Sequence, residues 1–299
     1  MQRSILFSAT LCLLCFFACA QNDKSVPQRV IENLAYLPAE EIEVDSLQRL
    51  NLVLPAGEEK TPLLVWIGGG AWSFVDRHKE MDLAQQFAAK GIAVASVGHR
   101  LSAAVWADSN RTEGVQHPVH VQDLAAAFKW LYDHAEEYNW DREQIFVGGF
   151  SSGAHLAALL SLDESYLAVH GLSLANIKGV IPVAGTYDVS HYHAAFANSD
   201  TRSALADTHV KAVFGDTEED FKAASPITYL ESMSVPMLLI SENNTYNYTR
   251  VLEQALDEGS FKEYKVIHVL ELGHRDLWNN LSFEAESPYR QAMLDFILS

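Results

Sequence analysis

The chain has no cysteine after residue 19. Its three cysteines, Cys12, Cys15 and Cys19, all lie in the first nineteen residues. If that segment is removed, no disulfide can form within the remaining chain, so its stability must come from core packing. Because 48% of the 299 residues are hydrophobic, the chain can bury a sizeable core, and we expect one large domain.

Basic residues are also scarce. Lysine and arginine together number 21 against 39 aspartates and glutamates, which gives a formal net charge of −18. A negative field of this size repels nucleic acid and anionic membrane surfaces. We therefore expect no nucleic-acid partner, while binding of a small uncharged molecule remains open.

Several cofactor motifs are missing from the sequence. There is no His-Glu-x-x-His pattern, no cluster of thiolates, no Gly-Lys-Ser/Thr phosphate loop and no Gly-x-Gly-x-x-Gly fingerprint. These patterns bind zinc, nucleotide phosphates or dinucleotides. The sequence thus predicts neither a metal nor an organic cofactor.

The first twenty residues have the pattern of a secretory signal. Arg3 precedes a short apolar run over residues 5–20, and polar residues follow at once from Gln21. Such a run is too short for a stable membrane span. We expect a signal peptide over residues 1–20, a linker over 21–37 and the folded domain over 38–299.

Two processing routes fit the end of this segment. "ACA" before Gln21 matches ordinary signal cleavage, whereas "FFAC" resembles a bacterial lipoprotein box in which Cys19 would be lipidated. Both routes lead to a secreted, periplasmic or lipid-anchored protein. Membrane attachment is expected only through a lipidated Cys19.

Apolar strand-like runs alternate with helical segments along the rest of the chain. This alternation predicts βαβ units and a mostly parallel sheet covered by helices on both faces. Residues 188–225 break the rhythm, and we expect them to form a small cap. The predicted strands are 48–55, 62–67, 92–98, 144–147, 177–185, 236–241 and 264–270, and the predicted helices are 77–90, 118–138, one from about 152, and 289–298.

The segment "IFVGGFSSGAHLAALL" places a serine where a buried strand turns into a helix. Gly149-x-Ser151-x-Gly153 is the pattern of a nucleophile elbow, a strained turn that exposes the serine hydroxyl. Glycines stand two residues before and after because side chains there would collide across the turn. The helix that follows directs N–H groups toward the site and favours developing negative charge.

Two further segments fit acyl-transfer chemistry. Three glycines in "VWIGGGAW" follow a buried strand, where their N–H groups can form an oxyanion hole. A general base is expected late in the chain, and His274 in "LELGHRDLW" follows the last predicted strand. By contrast, His268 and His155 are expected to be packed within the fold.

Together these residues resemble the α/β-hydrolase superfamily, and among its branches the hormone-sensitive-lipase-like carboxylesterases, acetyl-xylan/feruloyl esterases and kynurenine formamidases. The motifs "WIGGGAW", "GHRLS", "HPVHVQDLAAAFKWL", "GFSSGAHLAALL" and "LGH" carry the resemblance, which extends from about Tyr36 onward. The resemblance implies Ser151 as nucleophile and His274 as base. It places the oxyanion donors at Ser152, Gly70 and Ala71, with Gly69 beside them.

The sequence departs from the family pattern at two places. Gly68 stands where the family has a histidine that braces the glycine loop. Where relatives have the triad aspartate, this chain reads "SENNTYNY", in which Glu242 is the only carboxylate at the strand end. We expect Glu242 to be the acid. Asp276 is the alternative, and Asp188 is expected to be a turn residue.

These observations predict a serine hydrolase that cleaves small or carbohydrate-linked carboxylic esters through an acyl-enzyme. Trp72 and Trp106 either line an aromatic substrate pocket or belong to the core. One alternative is an amide hydrolase of the arylformamidase or peptidase type on the same fold. Another is a catalytically impaired binding protein, because the bracing histidine and the usual aspartate are missing.

Overall fold

A computed structural model of the protein describes residues 28–38, 40 and 47–299. The predicted signal peptide, including Cys19, and its cleavage point before Gln21 lie outside the described residues. Within them, no helix is long and apolar enough to cross a membrane.

The described residues form an eight-stranded sheet in the order β1-β2-β4-β3-β5-β6-β7-β8. The first strand pairs antiparallel with the second, and the second antiparallel with the fourth, whereas all other neighbours are parallel. The predicted mostly parallel α/β sheet is therefore confirmed. The strands are β1 Gln28–Ala35, β2 Arg49–Pro55, β3 Thr61–Ile67, β4 Ala93–Val97, β5 Trp140–Phe150, β6 Gly179–Val183, β7 Met237–Glu242 and β8 Tyr264–Val269.

Eleven α-helices and several short turns lie between or after the strands in this part of the chain. Helices α6 to α8, together with one π-helical turn, follow β6 and occupy the segment 188–225 that the sequence marked as irregular. The helices are α1 Met81–Ala88, α2 Val119–Asp133, α3 Ala135–Tyr138, α4 Ser152–Leu160, α5 Ser165–Ala168, α6 Val189–Ala197, α7 Ala212–Phe214, α8 Glu218–Ala224, α9 Tyr246–Glu258, α10 His274–Phe283 and α11 Pro288–Leu298. The 3₁₀ turns are Arg77–Glu80, Leu174–Asn176 and Pro226–Ser232, and the π turn is Ala206–Lys211.

The central strands of the sheet are buried on both faces, which explains their continuous apolar sequences. Successive side chains of a strand point to opposite faces. In β3, Leu63 and Val65 pack in one core with α2 and α4, whereas Leu64 and Trp66 pack in a second core with α1, α10 and α11. Because both faces are covered, no alternation of polar and apolar residues is seen in the sequence.

One predicted boundary was wrong. Strand β1 lies inside residues 21–37, which the sequence indicated as a linker, and it pairs with β2 over most of its length. It is an edge strand with several exposed positions, including Val30, which is 46% exposed. Such a strand lacks the apolar run that identifies the buried strands, so its composition alone predicts a linker.

Parallel strands bring the predicted site residues to one edge of the sheet. Gly68 follows β3, Ser151 follows β5, Glu242 ends β7 and His274 follows β8. Ligands of open α/β sheets bind at this edge, outside the carboxyl ends of the strands. The topology therefore brings together residues that lie up to about 200 positions apart in sequence.

Candidate active site

Ser151 occupies a strained turn between β5 and α4. Its backbone has φ 57° and ψ −118°, outside the regions that side chains favour, and its N–H donates to the Val183 carbonyl at 2.8 Å. A Cβ atom at Gly153 would lie 2.0 Å from the Ile67 carbonyl oxygen, and one at Gly149 would lie 2.4 Å from the Gly153 carbonyl oxygen. Both glycines of the motif are therefore required by the close approach of α4 to β3 and β5.

His274 is the first residue of α10 and reaches back to the serine. Its Nε2 atom lies 2.9 Å from Ser151 Oγ. The imidazole packs against the Phe150 ring with a centroid separation of 4.8 Å. The contact with Ser151 and the packing against Phe150 together hold the imidazole ring next to the serine hydroxyl.

Glu242 completes the arrangement from the end of β7. Its side chain is fully buried, and its Oε1 atom lies 2.9 Å from His274 Nδ1. Burial opposes the charged form, but hydrogen bonds from His274 and from the backbone N–H groups of Asn244 and Thr245 outweigh it, so the pKa of Glu242 is lowered. An ionised carboxylate only accepts, so Nδ1 carries the imidazole proton and Nε2 is free to accept from Ser151 Oγ–H.

The asparagines that follow Glu242 support this geometry. Asn244 donates its backbone N–H to Glu242 Oε2, and its Oδ1 accepts from the backbone N–H of His274 at 3.1 Å. Asn244 therefore joins the end of β7 to the first turn of α10. The segment "SENN" lacks the usual aspartate, but its second asparagine contacts both Glu242 and His274 and positions them together.

The alternative acids lie elsewhere. Asp276 is exposed on α10. Asp188 caps α6, where its Oδ1 accepts from the His191 N–H at 2.9 Å. Of the three carboxylates considered from the sequence, the structure brings only Glu242 to His274.

The glycine-rich loop after β3 lies beside the serine. Gly69, Gly70 and Ala71 line the same pocket as Ser151 and His274. The Gly70 carbonyl accepts N–H groups of residues 73 and 74 at 3.0 and 2.7 Å, which closes a tight turn. Gly70 has φ 149°, and a Cβ there would lie 2.5 Å from the carbonyl carbon of Phe74. The loop is therefore fixed by its own backbone hydrogen bonds without a histidine at position 68.

Ser152 is the first residue of α4, and the first N–H groups of a helix have no acceptor within it. Its side chain is buried, away from the pocket wall, and its hydroxyl has no hydrogen-bond partner among the described residues. Ser152 can therefore offer an oxyanion its backbone N–H rather than its hydroxyl. The backbone role expected from the sequence stays a prediction.

The two predicted pocket tryptophans differ in position. Trp106 lines the pocket next to Phe74, with a ring separation of 5.7 Å. Trp72 does not line it: the indole is 3% exposed, packs on Phe214 at 4.8 Å and donates to His155 Nδ1 at 3.3 Å. Trp72 has φ 57°, which turns its side chain away from the pocket and into the core. Of the two positions considered from the sequence, Trp72 thus takes the core position and not the pocket, and it links the glycine loop to α4 through His155.

The pocket has a volume of about 750 Å³ and contains residues that sequence reasoning missed. Trp278 stands four residues after His274, so helical periodicity alone could have placed both on one face of α10. Glu80 gave no such signal, because nothing in its local sequence separates it from a surface glutamate. Besides the residues already described, the lining includes Phe74, Lys79, Glu80, Phe150, Arg275, Trp278 and Asn279.

Several buried histidines surround the site without facing the pocket. Burial lowers the pKa of His155 to about 3 and that of His209 to about 4. His155 accepts from Trp72, and its Nε2–H donates to the Ala224 carbonyl at 2.8 Å. These histidines are neutral structural residues, as was expected of His155. His268, also expected to be packed, contacts Ser241 and Glu253.

No group of three or more histidine, cysteine, aspartate or glutamate side chains in the described part of the chain could hold a metal ion. The polar groups around Ser151 are instead arranged as a relay of hydrogen bonds from serine to imidazole to carboxylate. That arrangement can transfer a proton from a hydroxyl group without a metal.

Comparison with known proteins places this site in a family. The profile of the BD-FAE family matches residues 50–247, about two thirds of the chain. The chain belongs to the BD-FAE family. The matched region includes the glycine loop, the elbow serine and Glu242 but ends before His274.

Curated relatives of the chain are named esterases. Esterase LipQ of Mycobacterium tuberculosis is 26% identical over 185 residues, covering 60% of this chain and 41% of the relative. Gut esterase 1 of Caenorhabditis elegans is 32% identical over 136 residues, covering 44% of this chain and 24% of the relative. The chain thus spans less than half the length of these relatives.

Solved structures support the α/β-hydrolase fold over nearly the whole chain. Esterase B from Lactobacillus rhamnosis superposes with a TM-score of 0.73 at 21% identity, covering 90% of this chain and 85% of that one. A carbohydrate esterase from gut microbiota gives 0.68 at 20% identity, covering 92% and 96%. At these identities the likeness establishes the fold, and the fold prediction is confirmed.

Proposed function

We propose that this protein is a serine esterase that hydrolyses carboxylic esters through an acyl-enzyme. One observation carries the proposal: His274 joins Ser151 Oγ and Glu242 Oε1 by contacts of 2.9 Å on each side. This arrangement makes a general base next to a nucleophile and stabilises the charge that the base acquires. The esterase names of the curated relatives agree with it.

In the first half-reaction, Ser151 Oγ attacks the carbonyl carbon of the ester as its proton moves to His274 Nε2. Buried Glu242 stabilises the resulting imidazolium through the Nδ1–H bond. The tetrahedral intermediate then collapses, the bond to the alcohol breaks, and Nε2–H protonates the leaving oxygen. The acyl group remains on Ser151.

The negative charge of the intermediate needs donors that are already in place. The backbone N–H of Ser152 at the start of α4 supplies one, and those of the loop formed by Gly69, Gly70 and Ala71 supply the others. Donors fixed before the reaction need no reorganisation, and losing one costs about 10²–10³-fold in rate. In the second half-reaction, water attacks the acyl carbon as His274 removes its proton, the bond to Ser151 Oγ breaks, and Nε2–H returns the proton to the serine as the acid leaves.

The pocket supports a small or carbohydrate-linked acyl ester as the substrate. Phe74 and Trp106 offer aromatic surface on one wall, and polar residues such as Glu80 and Asn279 line the rest. Aromatic walls with a few polar groups are typical of small-molecule sites. The binding-protein alternative loses its main support, because the acid it assumed to be missing is supplied by Glu242.

We also propose that the chain is exported, either as a secreted or periplasmic protein or through lipidation of Cys19. Support comes from Arg3 and the apolar run that follows it. Substrates outside the cell, including acylated carbohydrates, would then be within reach. Mass spectrometry of the mature N-terminus distinguishes cleavage before Gln21 from a lipid-modified Cys19.

The catalytic proposal is tested with a fluorophosphonate probe and p-nitrophenyl acetate. Wild-type protein is expected to be labelled at Ser151 and to turn over the ester. Ser151→Ala is expected to lose both, since a triad serine contributes about 10⁶-fold to kcat. Exposed Ser203 provides the matched control, and Ser203→Ala should retain labelling and turnover. Absence of both in the wild type would refute the enzyme function.

A further inference from the structure

A carboxyl group lies in the wall of the pocket and takes no part in the proposed proton relay. Glu80 is the last residue of the short turn after the glycine loop, and only 3% of it is exposed. It lines the same pocket as Ser151, His274 and Trp278. A glutamate this buried is uncommon, because charged side chains are rarely removed from water without a partner.

Two tryptophans hold this carboxyl group by one oxygen. Trp66 Nε1 donates to Glu80 Oε2 at 2.8 Å, and Trp278 Nε1 donates to the same atom at 3.4 Å. The other oxygen, Oε1, lies beside Gly68, where a Cβ atom would be only 2.8 Å away. Both hydrogen bonds that the described residues make to this carboxyl group thus go to Oε2 and none to Oε1. The carboxyl group is therefore oriented, with one acceptor position left unused.

The Glu80 carboxyl group is also buried without an ion-pair partner in the described part of the chain. None of the ion pairs formed by the described residues includes it, and burial raises its pKa. A residue that merely filled this space would cost less if it were apolar, since a buried carboxylate without a cation is destabilising. The free, oriented oxygen is instead suited to a hydrogen-bond donor that arrives with a ligand.

Helix α10 indicates which part of an ester lies near Glu80. His274 must protonate the leaving alcohol, so the alcohol part of the substrate lies on the His274 side of the scissile bond. Trp278, which binds Glu80, lies one turn along the same face of α10. Lys79 and Arg275 line the same pocket, and their positive charge disfavours a cationic substrate group.

We propose that Glu80 is a substrate-recognition residue that accepts a hydrogen bond from a hydroxyl group on the alcohol part of the ester. The inference rests on the proposed ester hydrolysis and specifies its substrates. Esters of polyols and sugars carry such a hydroxyl, whereas esters of simple alkanols do not. Glu80 thus favours the former class.

A matched pair of substrates tests this role. In 2-hydroxyethyl acetate a hydroxyl replaces the terminal methyl of propyl acetate, and the two esters are otherwise alike in size. Because a hydrogen bond to a charged group contributes about 10- to 100-fold, wild-type kcat/KM is expected to favour the hydroxyl ester by about that factor. In Glu80→Met, which keeps the length but removes the acceptor, the ratio should fall to within about threefold of unity.

The ratio is measured on a single preparation of each variant, so that a partly unfolded sample affects both esters equally. Glu80→Gln retains an acceptor for the indoles but no charge, and an intermediate ratio is expected. Glu143→Gln, at an exposed position, is the matched control and should keep the wild-type ratio.

Three results would overturn the proposal. A ratio near one in the wild type would remove the hydroxyl preference, and equal losses on both esters in Glu80→Met would mean that Glu80 only positions the loop or α10. A preference for acetylcholine over its neutral isostere 3,3-dimethylbutyl acetate would assign the oxygen to a cation. If the wild type cleaves no ester, including p-nitrophenyl acetate, the proposed function itself fails, which is a separate outcome.

Discussion

Replacing Glu242 by glutamine tests the proton relay at its buried end. The carboxylate accepts three N–H groups: Nδ1 of His274 at 2.9 Å and the backbone amides of Asn244 and Thr245. A glutamine amide offers one acceptor oxygen and one donor NH₂. In Glu242→Gln one of these N–H groups must therefore face another N–H group, whichever way the amide is turned.

The cost depends on which contact is lost. If NH₂ faces His274, the imidazole proton must move from Nδ1 to Nε2, and Nε2 can no longer accept from Ser151. Enforcing the wrong tautomer lowers kcat by about 10⁴-fold, or about 5.5 kcal/mol in activation free energy. If NH₂ faces the backbone instead, an unsatisfied buried donor costs about 1–3 kcal/mol of stability. The second orientation satisfies more N–H groups, because His274 Nδ1 and the Thr245 N–H share Oε1 whereas only the Asn244 N–H contacts Oε2. A neutral amide in that orientation still removes the charge that stabilises the imidazolium, so we expect kcat to fall by about tenfold or more in either orientation.

The assay is stopped-flow hydrolysis of p-nitrophenyl acetate, which separates acylation from deacylation. Glu242→Gln is expected to slow both steps, because His274 acts in each. Asp276→Asn serves as control: this carboxylate is exposed on α10 and should leave kcat within about twofold. If Glu242→Gln keeps more than a tenth of wild-type kcat, Glu242 is not the residue that orients His274.

Two further predictions concern stability. Gly153→Ala would place a Cβ atom 2.0 Å from the Ile67 carbonyl oxygen, so we expect it to lower the free energy of unfolding in urea by about 1–3 kcal/mol. Gly259→Ala is the control, because its Cβ would make ordinary contacts, and it should leave stability nearly unchanged. The second prediction concerns pH. Histidines of the unfolded chain have a pKa of about 6.5, whereas burial lowers the pKa of several histidines in the folded chain. Below pH 6.5 the unfolded chain therefore binds more protons than the folded chain. As the pH is lowered from 6.5 to 4, the free energy of unfolding should therefore fall. Three histidines together contribute up to about 4 kcal/mol per pH unit. These are His155, with a pKa of about 3, and His117 and His209, with pKa values of about 4, all lowered by burial.

Each stability prediction has a clear contrary result. Equal unfolding free energies for Gly153→Ala and Gly259→Ala would mean that α4 and β3 can separate without cost. For the pH series, urea titrations at pH 7, 6 and 5 give the slope directly. A flat profile over that range would show that the buried histidines are protonated in the folded protein.

The sequence alone located the proposed nucleophile, for a local reason. An elbow needs a buried strand, a serine and small residues on both sides within a few positions, and "GGFSSGAH" supplies all of these. His274 was also accessible, because the base follows the last predicted strand. In both cases the pattern that identifies the residue lies in a short segment directly after a predicted strand. Such segments determine local backbone geometry, which the amino-acid order encodes directly.

The acid, the pocket and the edge of the sheet depended on tertiary structure. Glu242 meets His274 because β7 and β8 lie side by side, which brings residues 32 positions apart within 2.9 Å of each other. Trp72 packs in the core and Trp106 lines the pocket, and their residue type alone could not distinguish these two positions. Glu80 differs from a surface glutamate only through Trp66 and Trp278, the second of which is 198 residues away. Sequence patterns determine which residues can do chemistry, but burial and long-range contacts decide which of them meet, because only packing fixes distances between remote segments.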